Sequence, residues 1–261
     1  MAAPPVPITD SGDETALSSV AWSKADLHIH STYSDGGHDI RTILEHAALS
    51  TDLRILAITD HDTIDGALEA RRLGPRYGVE IVVGEEITTN RGHVLGLFLR
   101  ERIRPGLSIP ETVGEIHAQG GVAVLAHPFD RICNSPMRHR PRPTIEEWRD
   151  FHLDALEGIN GSQLDPLANP RSRILGSGLR LAMTGGSDAH HKSVVGVAYT
   201  LFQGTTAADL RSAIEQRTCI PCGRRWRPRE YLGWLAMVLV PRTLHLTRLP
   251  QPLPLPDPVE A

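Results

Sequence analysis

Cysteine is scarce: the 261 residues contain three, Cys133, Cys219 and Cys222. Three thiols cannot pair completely, and a chain of this length does not need disulfides to hold a core. A reducing cytoplasm is therefore the expected setting. Cys219-Ile-Pro-Cys222 spells CxxC, but neither a thioredoxin-like context nor a second ligand pair accompanies it, so a turn flanked by two small residues is the plainer expectation. Neither sign of charge dominates. The 27 Lys and Arg against 31 Asp and Glu give a formal net charge of -4, which removes any global pull toward nucleic acid and leaves only local basic patches. There is no GxGxxG or Walker loop and no internal repeat. The start lacks the charged and apolar regions of a secretory signal. Residues 1–22, rich in Pro, Ser, Thr and acids, read as a disordered arm, and the Pro-rich 250–258 as an extended tail. The apolar Tyr231 to Val240 follows a basic stretch, Arg224 to Arg229, and is too short to span a bilayer. It reads as a terminal helix packed on the domain, with contact of 224–247 to an anionic membrane surface as the alternative.

What remains is ordinary globular composition, 40% hydrophobic and 22% charged, arranged as an alternation. Strands are expected over Ala25–His30, Leu53–Thr59, Val79–Val83, His93–Leu99, Val122–His127, Leu153–Ile159, Leu181–Thr184 and Val194–Phe202. Helices are expected over Ile40–Leu49, Ile64–Leu73, Pro110–Gln119, Ile145–Phe151, Pro170–Leu175 and Ala207–Arg217. Ser108-Ile-Pro-Glu111 has the form of a capping box, and Gly120-Gly121 stops the helix it opens. Strand–helix alternation points to βαβ units and a parallel sheet. Seven or eight strands favour an α/β barrel over an open sheet.

Several of these segments place His, Asp or Glu near a strand end. They are His28-Ile-His30 with Asp35; Thr59-Asp60-His61-Asp62; Gly84-Glu85-Glu86; His93; Ala126-His127-Pro128; and Gly186-Ser187-Asp188-Ala189-His190. On a strand, residues two apart share a face, so His28 and His30 aim at one point. In α/β barrels the C-terminal strand ends hold the active site; only His93, which opens its strand, departs from the pattern. Each element has a plain alternative. A lone His is commonly structural, and Asp60 or Asp62 reads equally as a helix cap. The set is stronger than its members, because so many buried carboxylates and imidazoles are costly unless cations balance them.

This series resembles the PHP family, the polymerase and histidinol phosphatase superfamily of metal-dependent phosphoesterases. The resemblance spans about residues 23–220, with residues 221–261 as a basic and apolar extension. It implies a distorted (β/α)7 barrel with two or three metals at its mouth. Carried over to this chain, it implies one metal near His28, His30, Glu85 and Asp188. A second would use Glu85 as a bridge with His93 and His127, and a third would take Asp35, His61 and His190. Six imidazoles and three carboxylates suit Mn, Zn or Fe rather than Ca or Mg.

The chemistry so implied is hydrolysis of a small phosphate ester, a nucleotide or a short oligonucleotide end by a metal-bound hydroxide, without stable duplex binding. Asp60 is expected to orient a ligand His or carry a proton. Arg131, with Arg171 and Arg173 as further candidates, is expected to meet phosphoryl charge, and His191 to touch substrate. The cationic loop 131–143 fits a lid over an anionic substrate. A carboxylic or carbamic ester hydrolase on the same scaffold is the alternative, suggested by Val79–Thr89 and Gly92–Phe98. A non-catalytic metal-stabilised module is the third reading, which the complete ligand set disfavours.

Overall fold

The computed structural model describes residues 21–130 and 134–239. The arm before them, Arg131, Cys133 and the tail from residue 240 lie outside the described residues. The strands are β1 (Trp22–Ile29), β2 (Leu53–Ile58), β3 (Glu80–Thr89), β4 (Gly92–Leu97), β5 (Val122–Leu125), β6 (Ala155–Asn160), β7 (Ala182–Gly186), β8 (Ala198–Gln203) and β9 (Ile220–Gly223). The helices are α1 (Ile40–Ser50), α2 (Asp65–Leu73), α3 (Ile109–Ala118), α4 (Ile145–Asp150), α5 (Ala168–Leu179), α6 (Ala207–Glu215) and α7 (Pro228–Leu239).

The strands form a single sheet in the order β7-β6-β5-β4-β3-β2-β1-β8-β9. It curls until its ends meet. β1 changes partner along its length: Trp22 to Ala25 pair antiparallel with β8, whereas Ile29 bridges in parallel to Ala189, just after β7. Asp26 reinforces the seam by accepting from the backbone N–H of Ser187 at 2.9 Å and of Gly196 at 2.7 Å. Seven strands thus make a nearly closed barrel, and β8 and β9 extend it. This is the distorted (β/α)7 architecture that the PHP resemblance implied, and it agrees with the α/β barrel expected from the alternation. Its distortion is β4, which runs antiparallel to both neighbours. That reversal explains His93: the start of an antiparallel strand lies at the same rim as the ends of the parallel ones.

Two apolar layers hold the barrel. Side chains such as Ala57, Val82, Leu95, Leu97, Val124 and Phe202 fill the interior, where α6 adds Leu210 and Ile214. Leu56, Ile58, Val83 and Leu125 face the surrounding helices. Burial of this kind stabilises by about 25 cal/mol per Å² of apolar surface. In β1 a register shift between Asp26 and Ile29 breaks the simple alternation: Leu27 joins the inner layer and Ile29 the outer one. Local signals behave as the sequence suggests. Ser108 and Glu111 form the capping box of α3, and Thr144–Glu147 and Thr206–Asp209 form two more.

Residues 221–239, the described part of the expected extension, run along the barrel. β9 pairs with β8, Tyr199 opposite Cys222, and both Cys219 and Cys222 are free thiols. Trp226 is buried, donating its indole N–H to the Ser187 carbonyl at 2.9 Å. No helix among the described residues is long and apolar enough to cross a membrane.

Candidate metal centre

Eight of the nine expected ligands converge at the barrel mouth. His28 lies at the end of β1 and His30 just after it, His61 follows β2, His93 opens β4, His127 follows β5, and Asp188 and His190 follow β7. Asp35 reaches in from the turn after β1. The ninth, Glu85, does not join them. Glu85 faces the outer side of β3, where it accepts from the Ile103 N–H at 2.8 Å and lies 4.0 Å from Arg102. Burial pushes its carboxyl up to about 7, against the lowering effect of the Ile103 N–H. Its neighbour Glu86 takes the central place. The reason is strand parity: Thr88 sits opposite His93 in the β3–β4 pair, so Glu86, two residues before Thr88, shares the face of His93.

Five imidazoles surround Glu86. Ring nitrogens of His93 and His127 lie 2.9 Å from Oε1, and those of His28 and His30 lie 3.1 Å from Oε2. His61 approaches Oε2 at 3.5 Å. Asp188 Oδ1 lies 3.6 Å from His28 and 3.4 Å from His30. Toward the outer rim, Asp35 lies 3.1 Å from His190 and 3.8 Å from His61. Four groups each place their ligand atoms within 4.8 Å of one another: His30, Asp35, His61 and His190; His28, Glu86 and His127; His28, His30 and Asp188; and His61, Glu86 and His93.

This packing makes physical sense with cations among the side chains. A carboxylate offers about four lone-pair sites, and five imidazoles crowd this one. Five neutral rings cannot all donate to it, and His28, whose Nδ1 faces Glu157, would turn a lone pair toward it, whereas fully protonated rings would bury several positive charges. Both nitrogens of buried His30 and Nδ1 of His93 lie close to carboxylate oxygens without hydrogen-bond geometry, and Nδ1 of buried His127 meets no hydrogen-bond partner. Without metal, burial alone would lower the pKa values of His28, His30 and His127, but the carboxylates outweigh it there, whereas at His61 burial prevails. Asp188 and Glu86 lift His30 to about 10, and Glu86 lifts His127 to about 9. Glu86 and Asp188 are held well below the usual carboxylate range despite burial, with His28 the leading cause for each. The donor set thus fits clustered divalent ions.

Residues absent from the sequence-based set complete the support. Glu157 on β6 lies 2.9 Å from His28 Nδ1 and accepts from the His127 backbone N–H at 2.9 Å. A carboxylate partner keeps the proton on Nδ1 and leaves Nε2 to face Glu86 and Asp188. The Asp188 carbonyl does the same for His190 Nδ1 at 3.0 Å. Asn160 and Ser162 both donate to Asp188 Oδ2. His127 and Asp188 hold left-handed backbone, φ 26° and 52°, which costs of order 1–3 kcal/mol each and is retained where surrounding contacts dictate it. At Gly186 a Cβ would come within 2.6 Å of the His28 Cβ and 2.7 Å of Glu157, so only glycine fits. A signal for Glu157 exists in the sequence: a carboxylate in an otherwise apolar buried strand needs a partner. Glu157→Gln is expected to weaken metal affinity about 10- to 100-fold, measured by competition with a chromogenic chelator.

The remaining expected residues lie around this core. Asp60 is buried, and its carboxylate accepts from the Ser31 N–H and hydroxyl at 2.7 Å each and from Ser34 Oγ at 2.6 Å. It therefore fixes the turn that presents Asp35 instead of bonding a ligand imidazole. His191 turns away, bonding Ser193 and meeting the His38 ring at 4.6 Å. Arg171 pairs with Asp165 at 3.0 Å and lines a cleft of about 550 Å³ together with Arg138, Arg140 and Arg142. A smaller cavity of about 210 Å³ lies over the ligand cluster, and Asp130 borders both.

Family and structural comparisons agree with this geometry. The PHP domain family model matches residues 26–157, and a PHP-associated model matches 166–219. An uncharacterized protein of Methanocaldococcus jannaschii is 38% identical over 157 residues, covering 56% of this chain and 86% of the relative. A phosphoribosyl 1,2-cyclic phosphate 1,2-diphosphodiesterase of Eggerthella lenta is 45% identical over 82 residues, covering 29% of this chain and 31% of the relative. A two-domain protein of Bacteroides vulgatus with a PHP-like phosphoesterase region superposes with a TM-score of 0.63 at 17% identity, covering 89% of this chain and 75% of that one.

Proposed function

The chain belongs to the PHP family of metal-dependent phosphoesterases, and from that premise we propose that it hydrolyses a small phosphate ester: a nucleotide, a related phosphorylated metabolite or a short oligonucleotide end. The observation that carries this reading is the adjacency of the ligand cluster to an arginine-lined cleft, the two meeting at Asp130. Acidic and imidazole groups collect cations; the guanidinium groups beside them suit a second anionic group on the substrate. The cavity over the cluster, about 210 Å³, falls below the roughly 300 Å³ at which pockets for drug-sized ligands begin, which favours a small substrate or a chain end. The phosphodiesterase activity on a phosphoribosyl cyclic phosphate named for the Eggerthella relative is in keeping with a small phosphate ester.

Divalent ions bound at such a centre lower the pKa of water toward neutrality and polarise a phosphoryl oxygen. We assign their retention to His28, His30, Asp35, His61, Glu86, His93, His127, Asp188 and His190, with Mn, Zn or Fe as the ions in two or three sites. Glu157, Asn160 and Ser162 hold the ligands in orientation, and Asp60 holds the Asp35 turn. Arg138, Arg140, Arg142 and Arg171 receive the substrate's distal charge.

The test is turnover of bis-p-nitrophenyl phosphate, p-nitrophenyl phosphate and p-nitrophenyl acetate by metal-analysed protein. Metal-dependent release from a phosphate ester is expected. Release from the acetate alone would move the assignment to carboxylic-ester hydrolysis.

A further inference from the structure

The cavity over the ligand cluster has two chemically different sides. One is built from the ligands. The other is apolar and aromatic, formed by Leu164, Trp226, Tyr231 and Trp234. Three of these four come from the segment after β9, beyond the PHP-associated match that ends at residue 219. The segment is tied down firmly. Arg224 holds Glu230 through two contacts of 2.8 Å, Arg225 reaches the carbonyls of Gln163 and Leu164, and the Tyr231 hydroxyl donates to the Ser162 carbonyl at 2.9 Å.

These side chains divide by burial. Trp226 is 6% exposed, and its ring sits 5.3 Å from that of Tyr231. It serves packing. Trp234 is only half-buried, with its ring 6.4 Å from that of His190 and nearly perpendicular to it. Leu164 is 53% exposed. A rigid, partly open aromatic surface beside a centre for anions suits a ligand that is planar and apolar at one end and charged at the other.

We propose that Trp234 and Tyr231 of α7, with Leu164 from the segment between β6 and α5, form a stacking wall that selects phosphate esters carrying a planar aromatic group such as a nucleobase. The proposal rests on the phosphoesterase reading for its reaction, but not for its binding. Stacking is tolerant of base identity because every base has a π-face, so the wall discriminates aromatic from non-aromatic esters more than one base from another.

The test compares wild type, Trp234→Ala and Trp234→Phe in two ways. The first is the ratio of kcat/KM for adenosine 5′-monophosphate over ribose 5-phosphate. It is expected to favour the nucleotide in wild type, to fall about tenfold in Trp234→Ala and to be largely kept in Trp234→Phe. A ratio near one in wild type, or one that Trp234→Ala leaves unchanged, would overturn the wall, as would equal loss in both variants. The second is equilibrium dialysis with adenosine, which has no phosphate. Adenosine binding that weakens in Trp234→Ala upholds the wall even where neither ester is turned over, in which case the hydrolytic reading alone fails. Adenosine binding indifferent to Trp234 sinks the wall while leaving hydrolysis intact.

Discussion

Glu86→Gln abolishes turnover, lowering kcat/KM by about 10³-fold or more, as the loss of several kcal/mol of metal-derived stabilisation at 1.36 kcal/mol per decade requires, while Glu85→Gln, remote from the ligand cluster, stays within about tenfold of wild type. The contrast is sharp because the two carboxylates are adjacent in sequence and opposite in direction. Glu86 faces five imidazoles. The amide keeps its volume but gives up the negative charge that lets cations collect there. Glu85 meets the Ile103 N–H behind the sheet. Its loss alters one buried hydrogen bond, a matter of about 1–3 kcal/mol in stability. Steady-state kinetics on the two variants, with metal content measured alongside, checks this. Equal loss in both, or greater loss in Glu85→Gln, would mean that the parity of β3 is misassigned.

Metal removal is expected to have the second large effect. Each ion that binds only the folded state at 1,000 times its dissociation constant stabilises it by about 4 kcal/mol. For a domain of this size that is a fall in Tm of roughly 8–16 °C per ion on chelation. The increment also depends on pH, with a sign set by the cluster. Burial acts to lower the pKa values of His30 and His127, but Asp188 and Glu86 over-compensate and hold His30 at about 10, and Glu86 holds His127 at about 9. A raised folded pKa stabilises fully below the unfolded value of about 6.5 and less as pH climbs through the folded value. Metal-free protein therefore loses this contribution as pH rises toward 9–10. Metal binds the unprotonated imidazole, so its affinity rises over the same interval. The difference in Tm between loaded and chelated protein should grow from pH 6 to pH 9. Thermal unfolding at several pH values, with and without chelator, measures it; a difference that is flat or shrinks would exclude imidazoles as the main ligands.

Much of this was legible from the chain. His28-x-His30 needed only the two-residue repeat of a strand. The alternation of strands and helices pointed to the barrel, and Ser108-Ile-Pro-Glu111 marked the capping box of α3, whose first residue is Ile109, one before the expected Pro110. Assigning Glu85 depended on carrying a pattern across a pair of adjacent glutamates, where a shift of one residue reverses the side chain. The information to decide lay nearby. The strands join through Asn90-Arg91, and pairing Thr89 with Gly92 across those two residues sets Thr88 against His93 and so selects Glu86. Glu157 was passed over because a single carboxylate in a strand carries no motif; its role depends on β6 lying beside β5 and β7 in the sheet. The contribution of α7 to the cavity was equally out of reach, since an apolar helix following a basic stretch says nothing about which face of the barrel it covers.

The most direct test of the account is a Mn²⁺ titration of chelator-stripped protein, following bound metal and bis-p-nitrophenyl phosphate turnover together, for wild type beside Glu86→Gln. The account predicts no turnover without metal, activity rising with the two or three equivalents that wild type binds, and a variant that binds less metal and stays inactive. Turnover by metal-free protein, or a fully loaded wild type that hydrolyses no phosphate ester, would contradict it.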